Sequence, residues 1–188
     1  MVKILGISGS LRAGSYNSML LRAAAQTVAG MADLDVATIR GIPLYDADVE
    51  TKEGIPAPVR ELKERVVARD GLLLATPEYN NGIPGVFKNS IDWMPRPPAD
   101  IPKVFGNRPV AVMGASPGGF GTILAQNMWL PVLRTLGTRP WFGARMLVSR
   151  AGQVFNSSGE LTDEAVRKQL TAFLNGFIEF IQRSVKVV

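Results

Sequence analysis

The chain has 188 residues, 46% of them hydrophobic and 20% charged, which suits a single domain spanning 1–188 around one core. It contains no Cys and no His, which excludes disulfides, thiolate nucleophiles, Ser-His-Asp triads, imidazole acid–base chemistry and Cys/His zinc sites, so an enzyme of this composition is expected to take its reactive group from a bound cofactor. Lys and Arg number 21 against 16 Asp and Glu, and this net +5 is scattered singly, which fits an anionic small molecule better than nucleic acid.

Residues 2–7 form an apolar run closed by Ser8, Gly9 and Ser10, and predict a buried strand. Asn17 and Ser18 then head a Leu- and Ala-rich helix that Gly30 closes. Residues 34–39 alternate as a strand does, and 58–67 place Val59, Leu62 and Val66 at helical spacing. The near-continuous apolar runs 71–76 and 109–115 predict strands covered on both faces. Helices are predicted over 86–93 and 122–136, and a fifth strand within 141–148. A last helix starts after Thr162, with Asp163 and Glu164 at its positive end and Val166, Leu170, Phe173, Leu174, Phe177 and Ile181 as a core-facing stripe.

This alternation predicts an α/β fold: a flavodoxin-like, doubly wound, five-stranded parallel sheet of order 2-1-3-4-5 with helices on both faces. In that order the loops leaving strands one, three and four lie side by side. The opening apolar stretch is too short for a signal-peptide core, and no segment approaches the roughly 18 apolar residues of a membrane span, so a cytoplasmic protein without membrane insertion is expected. The sequon at Asn156 is read as chance.

Those three loops are the most Gly-rich and polar in the chain. The first, residues 9–18, runs into a helix N-terminus and combines free backbone N–H groups with the hydroxyls of Ser10, Ser15 and Ser18, the Asn17 amide and the Arg12 guanidinium, a set suited to a phosphate dianion. A Walker loop would need Lys where Ser15 stands, which argues against nucleoside triphosphate hydrolysis; the plainer alternative is a turn that merely caps the helix. The second loop, 76–85, offers Tyr79 and two amides for a flat heterocycle, or else packs Tyr79 as core and uses Glu78 to hold backbone N–H groups. The third, 114–122, has glycines that let a ligand approach the main chain and Ser116 as a donor. A phosphate cradle beside a planar pocket at a sheet's switch point is the layout of a mononucleotide site.

At these residues the sequence resembles the NADPH-dependent FMN reductase family, which includes chromate reductases, quinone reductases and azoreductases. The resemblance rests on Gly9-Ser10-Leu11-Arg12 with Ser15 and Asn17; on Pro77-Glu78-Tyr79-Asn80 continuing through Ile83-Pro84-Gly85 to Lys88-Asn89 and Ile91-Asp92-Trp93; and on Ser116-Pro117-Gly118. It implies that Ser10, Arg12, Ser15 and Asn17 hold the FMN phosphate, with Ser18 beside them. It also implies that Pro77, Glu78, Tyr79 and Asn80 line the flavin ring and that Ser116 and Gly118 close the site. No side chain is assigned as catalytic and no metal is expected, because FMN carries the chemistry. The resemblance further implies a homodimer or homotetramer with the flavin near a subunit interface, for which Phe87, Trp93 and Trp129 are expected anchors, with core packing as the alternative. Many relatives carry Arg where Leu124 stands, which leaves dimer or tetramer open.

The activity this implies is a two-step (ping-pong) hydride transfer: NADPH or NADH reduces FMN, and a quinone, chromate, an azo compound or free flavin takes the electrons. Quinone is the expected physiological acceptor and chromate an opportunistic one. The competing reading is a flavodoxin-like electron carrier without catalysis of its own, against which the basic net charge counts.

Overall fold

The computed structural model describes residues 1–185. Strands β1 (Val2–Ser8), β2 (Ala32–Thr38), β3 (Gly71–Ala75), β4 (Pro109–Ala115), β5 (Arg139–Pro140) and β6 (Met146–Val148) alternate with helices α1 (Tyr16–Thr27), α2 (Ala47–Glu53), α3 (Ala57–Val67), α4 (Gly85–Trp93), α5 (Ile101–Val104), α6 (Ile123–Thr135) and α7 (Glu164–Val185). All pairings in the sheet are parallel, in the order β2-β1-β3-β4-β5, with β6 also on β4. This is the predicted doubly wound flavodoxin-like topology.

Neighbouring residues of a strand feed opposite layers. Leu73 and Ala75 of β3 pack with α1 and α7, whereas Leu72 and Leu74 pack with α3, α4 and α6. The predicted stripe of α7 is buried in the first layer from Leu170 to Ile181, while Val166 packs at its margin. Asp163 accepts the Val166 N–H at 2.9 Å and caps that helix.

The fifth strand departs from the expectation. Pro109 pairs with Arg139, an offset of 30, but Met113 pairs with Met146, an offset of 33, so three residues loop out between β5 and β6. The Trp141 N–H still bonds the Val110 carbonyl at 2.8 Å, so the excursion begins after it, and its ring packs on Phe173 and Phe177 of α7 at centroid distances of 4.9 and 5.9 Å. Helix α2 was not predicted, because it buries no residue and so carries no apolar period. Its signal is the Asp46 cap, whose carboxylate accepts the Asp48 N–H at 2.8 Å, with Gly54 closing the other end.

Candidate functional site

Loop 1, between β1 and α1, begins with Gly9 because α4 leaves no room for a side chain there: a Cβ would lie 2.1 Å from the Phe87 ring. The hydroxyls of Ser10 and Ser15, 7% and 4% exposed as residues, accept the backbone N–H groups of Arg12 and Ser18 at 3.3 and 3.4 Å. Each hydroxyl therefore keeps its proton to give to a ligand. The N–H groups of Tyr16 and Asn17 open α1 and lack intrahelical acceptors. Arg12 is exposed and stands over the Tyr16 ring at 5.9 Å. Donors thus converge with no carboxylate among them, the chemistry a phosphate monoester needs.

Two of the predicted loop 1 side chains are engaged within the protein. The Asn17 amide is 3% exposed and both donates to and accepts from the backbone of Ala115, so what Asn17 offers a ligand is its N–H. The Ser18 hydroxyl shares a 2.7 Å hydrogen bond with that of Ser8. Both fix the loop against the strand ends.

Loop 2 leaves β3 through Thr76, whose hydroxyl receives the Trp129 indole N–H at 3.1 Å. Pro77 is buried, and Tyr79 and Gly82 exchange backbone hydrogen bonds at 3.1 and 3.0 Å around Asn80 and Asn81. Both asparagines have positive φ, 50° and 63°, which makes the tip a tight hairpin turn of the type Asn tolerates. Tyr79 is 51% exposed, so the core alternative for it fails. Glu78 accepts the N–H groups of Leu124 and Ala125, each at 2.9 Å, and so caps α6, whose own N-cap Thr122 caps no backbone N–H with its side chain and instead accepts from the Gln126 amide at 3.1 Å. One carboxylate joins loop 2 to loop 3.

Loop 3 starts at Gly114, where a Cβ would lie 2.0 Å from the Thr122 hydroxyl and 2.4 Å from the Thr76 carbonyl. The Ser116 hydroxyl donates to the Gly121 carbonyl, and Gly118 is exposed. The turn after β6 supports this loop from outside: the N–H groups of Arg150 and Ala151 bond the carbonyls of Gly118 and Ser116 at 2.9 and 3.0 Å.

The expected interface anchors Phe87, Trp93 and Trp129 are all core residues, each 0% exposed. Phe87 and Trp129 meet edge to face at 4.9 Å and form the floor under Gly9 and Thr76. Trp93 donates to the Pro43 carbonyl at 2.9 Å, and the Asn89 amide donates to that carbonyl at 2.8 Å and accepts the Tyr45 N–H at 2.9 Å. Asn89 and Trp93 thus clamp the segment after β2 onto α4, while Lys88 and Asp92 pair with each other along the helix and Ile91 is core. Arg96 pairs with Glu50 in the same segment, and its hydrogen bond holds the Glu50 carboxyl below the usual carboxylate range against the opposing effect of burial.

Sequence reasoning missed Arg40 and Arg150. Arg40 donates to the Leu11 carbonyl at 2.6 Å and ties loop 1 to the exit of β2. Both arginines stand just past the carboxyl end of a strand, which is the signal that could have found them. Among the described residues there is no cluster of three or more potential metal ligands, and no helix is long and apolar enough to cross a membrane.

The family profile described as NADPH-dependent FMN reductase matches residues 2–153. An NAD(P)H-dependent FMN reductase of Pseudomonas aeruginosa is 41% identical over 182 residues, covering 97% of this chain and 96% of that protein. A quinone reductase of Escherichia coli is 35% identical over 187 residues, covering 97% and 96%. Among solved structures, FerB, a flavoenzyme NAD(P)H:(acceptor) oxidoreductase from Paracoccus denitrificans, superposes with a TM-score of 0.87 at 30% identity, covering 98% of this chain and 99% of that one.

Proposed function

The chain belongs to the NADPH-dependent FMN reductase family, and from that premise we propose that it is an FMN-dependent NAD(P)H:quinone oxidoreductase whose donor and acceptor use one open place in turn, a ping-pong sequence. The observation that carries the reading is the donor-only character of loop 1, where two buried hydroxyls and a helix N-terminus meet an exposed arginine. Bound FMN supplies the redox chemistry, taking a hydride from the reduced nicotinamide and giving electrons to the acceptor. The residues of the chain bind, orient and shield.

Ser10, Arg12 and Ser15 would hold the FMN phosphate together with the N–H groups of Tyr16 and Asn17. Ser18 and the Asn17 side chain act one step behind, by fixing that loop. Pro77, Tyr79 and Asn80 would border the ring with Ser116 and Gly118, and Glu78 would hold the two bordering loops at a fixed separation through α6. Such preorganisation places donors before charge develops on the bound ring.

Quinones are the acceptors we assign first, in keeping with the names of the relatives; chromate, azo compounds and free flavin are secondary acceptors of the same open site. The assembly is a homodimer or homotetramer, and its anchors are the exposed Leu124, Met128 and Leu130 of α6, which replace the buried Phe87, Trp93 and Trp129 in that role. A cytoplasmic location fits the supply of reduced nicotinamide.

The test is the visible spectrum of the protein after FMN addition and desalting, followed anaerobically with NADPH and then with menadione. Retained flavin absorbance that bleaches with NADPH and returns with menadione is expected. Retained flavin that neither NADPH nor NADH bleaches would point to an electron carrier, and failure to retain flavin would overturn the reading of all three loops.

A further inference from the structure

The turn after β6 reaches the phosphate end of the site as well as loop 3. Its Arg150 and Ala151 N–H groups bond the carbonyls of Gly118 and Ser116. A little further on, the same segment meets Tyr16 at the head of α1. A Cβ at Gly152 would lie 3.2 Å from the Tyr16 hydroxyl oxygen, and the Phe155 ring stacks on the Tyr16 ring with 6.1 Å between centroids and 19° between planes. Phe155 is buried in the core layer shared by α1 and α7. The half-buried Tyr16 ring is therefore backed by a fixed wall and offers loop 1 a rigid aromatic surface.

Arg12 folds back onto that surface. Its guanidinium carbon stands 5.9 Å from the centroid of the Tyr16 ring, and a Cβ at Gly14 would lie 3.9 Å from its Nη2 and 4.0 Å from its Nε. Among the described residues no carboxylate or carbonyl takes the Arg12 N–H groups, whereas the guanidinium groups of Arg40, Arg65, Arg69 and Arg96 are all engaged. A cation attracted to an aromatic face keeps its N–H groups available to an anion, which a salt bridge to a carboxylate would not. An arginine ordered only when its ligand arrives loses rotamer freedom at that step, and a ring that orders it beforehand lessens the loss.

We propose that Tyr16 is a positioning residue for the cofactor phosphate: its ring, backed by Phe155, holds the Arg12 guanidinium in place in loop 1 before FMN binds. The inference rests on the flavin-binding reading above and deepens it, since it assigns a role to an aromatic side chain that the phosphate itself does not touch.

The experiment titrates FMN and riboflavin into the flavin-free parent, Tyr16→Leu, Tyr16→Phe, Tyr16→pentafluorophenylalanine, Arg12→Ala and the Arg12→Ala/Tyr16→Leu double variant, with a melting temperature for each. Tyr16→Leu should raise the FMN Kd about two- to fivefold, the scale of a cation held on an exposed ring, and leave the riboflavin Kd at the parent's value. Tyr16→Phe keeps the ring and should bind FMN as the parent does. The pentafluorinated ring keeps the shape but loses the negative face, so its FMN Kd should rise to that of Tyr16→Leu without a lower melting temperature. In the double variant the leucine should add nothing to the loss from Arg12→Ala.

A Tyr16→Phe variant that loses FMN affinity would assign the hydroxyl to the phosphate directly and overturn the positioning role. Equal losses for FMN and riboflavin, or full additivity with Arg12→Ala, would overturn it as well. Should Tyr16→Leu fail to fold, the fluorinated ring decides. A parent that binds neither flavin overturns the flavin reading itself, whereas a parent that binds FMN beside a fluorinated variant that binds it equally overturns only the role of Tyr16.

Discussion

Asn17 and Ala115 exchange two hydrogen bonds across 98 residues of sequence, Nδ2 donating to the carbonyl at 2.9 Å and Oδ1 accepting the N–H at 3.0 Å. The pair locks the start of α1 to the last residue of β4 and so fixes loop 1 relative to loop 3. Asn17→Ala leaves a buried backbone donor and acceptor without partners, which should lower stability by about 2–3 kcal/mol in urea unfolding. A loss below about 0.5 kcal/mol, the range of ordinary surface changes, would show that water replaces the amide.

Arg12→Ala removes an exposed side chain from loop 1 and should leave the melting temperature unchanged. FMN affinity should fall by about 1.5–3 kcal/mol, the scale of a hydrogen bond to a charged group. Riboflavin, which lacks the phosphate, should bind parent and variant alike. Equal FMN affinity in a titration of the two proteins would remove Arg12 from the phosphate site.

Glu78→Ala uncaps α6 and should cost about 0.5–2 kcal/mol in stability. Because the same carboxylate couples loops 2 and 3, turnover with NADPH and menadione should fall as well. Glu78→Gln keeps one acceptor oxygen and should fall between Ala and the parent in both measurements. Lost stability at full turnover would reduce Glu78 to a helix cap.

Tyr79→Ala should do the reverse, changing turnover more than folding, since the residue is about half open to solvent and little packing is lost. Thermal melting beside steady-state assays separates the two effects. A drop of many degrees with normal kinetics would return Tyr79 to a packing role.

Acid should loosen the ion pairs on the flank that carries α2 and α3. Burial alone would raise the Asp35 carboxyl, but its hydrogen bonds and charge pairing with Arg65 and Arg69 outweigh burial and lower it. Hydrogen bonds from Lys63 and Arg96 lower Asp100 and Glu50. Groups lowered in the fold contribute stability that is complete above the unfolded carboxylate range, near 3.9 to 4.3, and disappears as pH falls through their folded values. The melting temperature should therefore hold above about pH 5 and decline below about pH 4. Asp35→Asn should flatten that decline, and an unchanged slope would mean that these pairs do not govern acid stability.

Much of this arrangement is legible in the sequence where burial dictates residue type. The runs that became β3 and β4 are apolar on both faces, and the stripe of α7 keeps helical period, so solvent exclusion writes itself into composition. Pairings between distant residues leave no such mark: nothing near Asn17 or Glu78 shows that Ala115 or Leu124 is the partner. Phe87 and Trp129 look the same in sequence whether they form an interface or the floor of a site. Arg150 differs from the scattered surface cations only in its backbone conformation, which emerges with the turn that holds loop 3.

The three-residue excursion between β5 and β6 also leaves the sheet without a usable open edge. The segments on either side of it have two and three residues, too short to template a strand from another molecule. At the other edge Asp33 and Asp35 place carboxylates along β2, clamped by Arg65 and Arg69. Growth of the sheet from one molecule into the next is opposed at both ends, and concentrated protein should resist fibrillar aggregation.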